Sequence, residues 1–177
     1  MKKFFFSILI FSIFNSCQVW GLSSDYKKLS FNYKSRIVAL DSFENLKPNL
    51  IYKINGKQLS EELKKYPKAL VYVFTSVKNT KIKLERYVQY ANENNYKLFL
   101  VMDGYMNLDD TLTQHNNFYS IPLFSIDNQY YNSNNKLKYV TYFETDLLQL
   151  KEGYYSKCFC CAYSFENGKF IKIINEI

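Results

Sequence analysis

"KALVYVFTSVKNTK", residues 68–81, is an apolar run that stops in a small polar loop. Residues 69–75 are nearly continuous in apolar character, the pattern of a central strand covered on both faces. A helix is predicted from Asn79 or Thr80 to about Asn94, because Leu84, Tyr87, Val88 and Ala91 recur at i, i+3, i+4 and i+7. "KLFLVMD", residues 97–103, is a second apolar strand. Strand, helix and strand with short joints make a βαβ unit, so the two strands are expected to run parallel with a right-handed crossover. The junction after residue 75 is where α/β proteins commonly keep their chemistry. Here it offers only Thr75, Ser76, Lys78, Asn79 and Thr80, with no Cys, His or acid.

Outward from this unit, "NLIYKINGKQLS" carries Asn55-Gly56 between short β-prone arms and reads as a hairpin, with Ser60 as the N-cap of a short helix ending before Pro67. Downstream, Asn107 is placed to cap a helix through about His115, and "YSIPLFSID" gives another strand headed by Ile121-Pro122. "NQYYNSNN" reads as a loop, residues 136–143 as extended, and residues 145–151 as a short helix closed by Gly153. The end, "CFCCAYSFENGKFIKII", forms a hairpin around Asn167-Gly168.

Composition sets the class. The 177 residues are 47% hydrophobic and 19% aromatic, enough for one sizeable core, and 22% charged, which argues against disorder. The opening "MKKFFFSILIFSIFNSC" has a basic start and a short apolar run over residues 4–14, the pattern of an export signal. Ser16-Cys17 resembles the end of a bacterial lipobox, with Phe14 where Leu is usual and Asn15 where a small residue is usual. This predicts a leader over residues 1–16, a lipid on Cys17 and a tether over residues 17–35. The domain then spans residues 36–177. Cleavage after Gly21 is the alternative. Net charge is +7, falling to +5 without Lys2 and Lys3, and its excess reads as scattered over a solvated surface rather than as a nucleic-acid footprint.

The order of parts resembles the thioredoxin-like superfamily, in particular its exported, membrane-anchored TlpA-like and AhpC/TSA-like redoxin branch. "INGKQLSEELKKYPKALVYVFTS" is similar to that family's opening, short helix and central strand. "SIPLFSID" is similar to its proline-headed segment, and "FENGKFIKII" to its closing hairpin. The resemblance implies a three-layer α/β/α fold with a central mixed sheet and a C-terminal β-hairpin, plus an insertion over about residues 128–153. It also implies that Pro122 follows a cis peptide bond and faces the junction. The family places its redox cysteines after the central strand, where the helix dipole stabilises a thiolate. This chain has "TSVKNTK" there, so the implied dithiol chemistry is absent at that position.

The bottom-up reading of Thr75, Ser76, Asn79 and Thr80 is helix capping, and that of Lys78 a solvated side chain. His115, the single histidine, lies in a polar helix and reads as an exposed residue rather than a base for a hydroxyl nucleophile. Cys158, Cys160 and Cys161 read as small buried hydrophobes on a core strand. A strand turns Cys161 to the opposite face from the other two, so the three cannot converge on one metal. A relocated thiol site is the sharper alternative. Tyr130, Tyr131, Tyr139, Tyr142, Tyr154 and Tyr155 raise a third reading, an aromatic surface for glycan or peptide.

The expectation is therefore an exported, lipid-anchored protein without redox cysteines at the usual position. It would bind or scaffold an envelope partner, with no cofactor, metal or nucleic acid. A thiol–disulfide oxidoreductase using Cys158, Cys160 or Cys161 is the alternative.

Overall fold

The computed structural model describes residues 22–75, 84–118, 120–151 and 161–174. Among them are seven strands in one mixed sheet and five α-helices: α1 (Phe31–Lys34), β1 (Ile37–Ala39), β2 (Ile51–Ile54), α2 (Gly56–Leu63), β3 (Lys68–Phe74), α3 (Leu84–Glu93), β4 (Lys97–Met102), α4 (Leu108–His115), β5 (Leu123–Ile126), α5 (Lys136–Leu147), β6 (Ala162–Glu166) and β7 (Lys169–Ile174). The sheet order is β1-β2-β5-β4-β3-β6-β7. The first five strands in that order are parallel, and β6 runs antiparallel to β3 and to β7.

The expected βαβ unit is present: β3 pairs parallel with β4 in the register Val71↔Phe99. All of β3 except Lys68 is buried, as its continuous apolar run requires. Its side chains alternate between two cores. Val71 and Val73 meet Leu59 and Leu63 of α2 and Tyr139, Phe143 and Leu147 of α5. Leu70, Tyr72 and Phe74 meet Leu84 and Tyr87 of α3 and Leu108 of α4. Helices thus cover both faces of the sheet. The C-terminal hairpin also forms as read, with Asn167 at φ 50° and Gly168 at φ 75°, the left-handed pair a tight turn needs.

Five local expectations fail. Asn55 is an N-cap rather than a hairpin turn: its side chain accepts from Gln58 N–H at 2.9 Å, and the Gln58 side chain accepts from Asn55 N–H at 3.1 Å. That capping box starts α2 five residues before Ser60, which lies inside the helix and accepts a bond from Gln149. Residues 136–143 are helical, not extended. Tyr139, Phe143 and Leu147 recur every four residues along the buried stripe of α5, and Asn135 caps it by accepting from Lys138 N–H. The aromatic and β-branched content that favours a strand yields here to that stripe.

"SIPLFSID" does form a strand, but β5 lies between β2 and β4 and does not pair with β3. No described peptide bond is cis, so Pro122 follows a trans bond. Finally, the described part of the tether is folded. Tyr26, Leu29 and Tyr33 pack on the α3/α4 core, and Ser24 and Asp25 are buried.

Candidate functional site

The carboxyl ends of parallel strands in an α/β sheet are the ordinary location for a site, because backbone and loops converge there. In this chain Thr75 directly follows β3 and Asp103 directly follows β4. Asp103 N–H donates to Phe74 O at 2.9 Å, so the ladder holds the two side chains side by side. The third member comes from the first turn of α5. Lys136 Nζ lies 2.8 Å from Asp103 Oδ1 and donates to Thr75 Oγ1 at 3.1 Å, while the Thr75 hydroxyl donates to Asp103 Oδ2 at 2.5 Å. Tyr139, one turn along α5, donates to Asp103 O at 2.5 Å.

This triangle is closed. The Lys136 and Asp103 side chains are 12% and 8% exposed. Residues 22–26 cross above them: Leu22 O accepts from Lys136 N–H at 2.8 Å, Ser24 O accepts from Tyr105 N–H at 2.9 Å, and the Tyr26 ring meets Tyr105 edge-on. Beneath, Tyr105 Oη is 2.7 Å from Ser125 Oγ at the end of β5. Burial pushes the Asp103 carboxyl above the ordinary carboxylate range, opposed by the Lys136 charge and the hydrogen bonds it receives. Burial likewise raises the Tyr105 and Tyr139 phenols. A hydroxyl, a carboxylate and an ammonium in contact have the components of acid–base chemistry. With each engaged by the others and roofed over, however, they form an internal clasp.

Compared with family models, curated proteins and solved structures, the chain has no match.

The residues singled out from sequence fare unequally. The Thr75 hydroxyl donates to Asp103 and accepts from Lys136, while the start of the following helix, to which the capping expectation refers, lies outside the described residues. Ser76, Lys78, Asn79 and Thr80 lie outside the described residues, as do Cys17, Cys158, Cys160, Tyr154 and Tyr155. Cys161 is buried, as expected of a core residue, but it is also disulfide-bonded, which the reading as an inert hydrophobe does not include. It immediately precedes β6, and its carbonyl accepts from Val73 N–H at 3.0 Å, which sets it against the second half of β3.

His115 is a correction: it is 1% exposed, and its Nε2 contacts Ile121 O. Burial pushes its pKa down from the usual value. The signal is present in the sequence, since Leu108, Thr111 and His115 occupy one face of α4 at i, i+3 and i+7. Tyr139 is fully buried, so it leaves the aromatic surface, while Tyr130 and Tyr142 remain exposed on either side of Tyr131. Sequence reasoning misses Asp103 and Lys136. Asp103 reads only as the end of a strand, and Lys136 as part of an extended segment. Among the described residues, no group of three or more His, Cys, Asp or Glu side chains is arranged to hold a metal ion.

Proposed function

We propose that this chain is an exported, lipid-anchored protein that binds or scaffolds an envelope partner. Its domain would be a thioredoxin-like fold that has given up thiol chemistry at the usual junction. The observation that carries the reading is the fate of Thr75. At the end of the central strand, where the resembled family keeps its cysteines, the side chain is tied to Asp103 and Lys136 under residues 22–26.

The thioredoxin-like assignment is supported by the parallel β3-α3-β4 unit, the antiparallel β6-β7 hairpin beside β3, and helices on both faces. The placement of β5 beyond β4, with Pro122 on a trans bond, departs from what the resemblance implies. The Cys161 disulfide is in keeping with export, since such bonds persist chiefly in oxidising compartments. Membrane attachment would run through Cys17, and mass spectrometry of the mature N-terminus tests it. A diacylated Cys17 is expected, and a start at Leu22 would remove the anchor.

One observation favours the second reading, an envelope thiol–disulfide oxidoreductase. Cys161 bonds through its backbone to Val73, two residues before Thr75, so a disulfide stands near the same end of the sheet. Insulin reduction by the purified chain separates the two. No turnover above the uncatalysed rate is expected, and turnover abolished by Cys161→Ser would replace the binding reading with the catalytic one.

A further inference from the structure

The segment 22–36 has one apolar residue that folding leaves unused. Tyr26, Leu29 and Tyr33 turn inward onto the α3/α4 core. Phe31 turns away from it and is 83% exposed, the most exposed large hydrophobic residue described. An isolated surface Phe needs no explanation, but the surroundings of this one are distinctive. Lys27, Lys28, Lys34 and Arg36 flank it, and the only acid among residues 22–40 is Asp25, which is buried and paired with Lys28 at 2.7 Å.

The arm is also built as a unit. Lys34 Nζ donates to Lys27 O at 3.1 Å and stands 5.9 Å from the Tyr26 ring centroid, while Arg36 Nε donates to Asn49 O at 2.9 Å. Lys27 is exposed, and Lys34 and Arg36, each tied to a backbone carbonyl, are half-buried; all three lie within three to five residues of Phe31 in sequence. The positive excess is thus not evenly scattered: these twelve residues, 25–36, carry four basic side chains against one acid.

We propose that this arm is a membrane-contact surface, with Phe31 entering the interface of an anionic phospholipid bilayer and Lys27, Lys34 and Arg36 meeting its headgroups. An exposed aromatic ringed by cations fits the chemistry of that boundary, where apolar contact and attraction to anionic lipid add. The position of the arm agrees, a point that rests on the lipid-anchor reading above. Leu22 is five residues from Cys17, at most about 18 Å of extended chain. A lipid on Cys17 would therefore hold the arm at the bilayer and leave the sheet turned outward.

The test uses the full chain carrying Trp20→Phe and Phe31→Trp, which places its single tryptophan in the arm. It is mixed with phosphatidylglycerol-containing or pure phosphatidylcholine vesicles, each with brominated chains. The expected result on the anionic vesicles is a blue-shifted emission quenched by bromine, both lost on phosphatidylcholine. Adding Lys27→Glu with Lys34→Glu should weaken the anionic response about tenfold or more. Flotation of the same samples reports the anchor separately. If the chain floats with both kinds of vesicle while the tryptophan in the arm stays open to iodide, the inference is overturned and the anchor reading stands. Flotation on anionic vesicles alone, lost on charge reversal, would support the arm and overturn the anchor. Flotation with neither vesicle overturns both, and capture of the arm by a soluble polyanion in preference to anionic vesicles overturns the inference about the arm alone.

Discussion

Thr75 and Asp103, the residues that follow adjacent parallel strands, are joined by a 2.5 Å hydrogen bond that Lys136 closes from a helix more than thirty residues further along. The two strand ends are fixed relative to each other by the ladder, so the bond costs little to align. The helix supplies the charge that makes a buried carboxylate tolerable. Removing that charge should therefore hurt more than removing the pair. Lys136→Met is expected to destabilise the chain by about 3–5 kcal/mol. In Lys136→Met with Asp103→Asn, a substantial part of that loss should return. Urea denaturation of the three chains measures it, and a double variant no more stable than Lys136→Met would show that the pair is not the source of the loss.

His115 gives a pH dependence of definite sign. Burial holds its pKa below the ordinary 6.5, and contact with Ile121 O only partly opposes that. In the unfolded chain the imidazole takes a proton near its ordinary pKa, while in the fold it stays neutral to lower pH. The folded state therefore binds fewer protons, and the contribution of His115 is fully present above about 6.5 and lost as pH falls below it. Melting temperatures measured from pH 8 to pH 5 should fall, and His115→Gln should flatten that part of the curve. An unchanged slope in the variant would assign the effect to other groups.

Which features are legible follows from which forces decide them. The core strand at residues 69–75, the described part of the helix after it and the strand at 97–103 are read correctly, because continuous and periodic apolar patterns reflect burial directly. The Asn167-Gly168 turn is legible because only residues tolerant of positive φ suit it. Asn55-Gly56 misleads because the same pair suits a tight turn, while Gln58, three residues after Asn55, answers as a capping partner. Residues 136–143 mislead because Tyr139, Tyr142 and Phe143 favour strand locally, whereas the stripe completed by Leu147 belongs to a helix. The clasp is illegible for a different reason. Thr75, Asp103 and Lys136 are brought together only by strand order and by the docking of α5, neither of which any local spacing encodes.

Cys161 should behave as a paired cysteine. In the oxidised chain, maleimide is expected to leave it unlabelled even after unfolding in urea, and to label it once reductant is added. Because the residue directly precedes β6 and bonds to Val73, the cross-link restrains the start of the strand beside β3. Cys161→Ser should lower stability by about 2–4 kcal/mol under oxidising conditions. Under reducing conditions the gap to the unaltered chain should shrink markedly. Labelling of Cys161 in the oxidised, unfolded chain would show that it carries a free thiol.

The start of α2 distinguishes a cap from a turn. Asn55→Ser keeps an oxygen for Gln58 N–H and should leave stability nearly unchanged, whereas Asn55→Ala should cost about 1 kcal/mol. Gly56 follows with a different constraint. A Cβ there would stand 2.3 Å from Phe143 O and 2.8 Å from Leu147 N, both backbone atoms of α5 that cannot swing aside. Gly56→Ala should therefore push α2 off α5, although alanine is the better helix former. The expected order of unfolding midpoints is Asn55→Ser above Asn55→Ala above Gly56→Ala. A hairpin at these positions would reverse the first comparison's logic, since neither Ser nor Ala supplies the positive φ of such a turn and both would then fall together. A Gly56→Ala chain as stable as the unaltered one would mean that α2 and α5 do not approach as closely as their backbones do here.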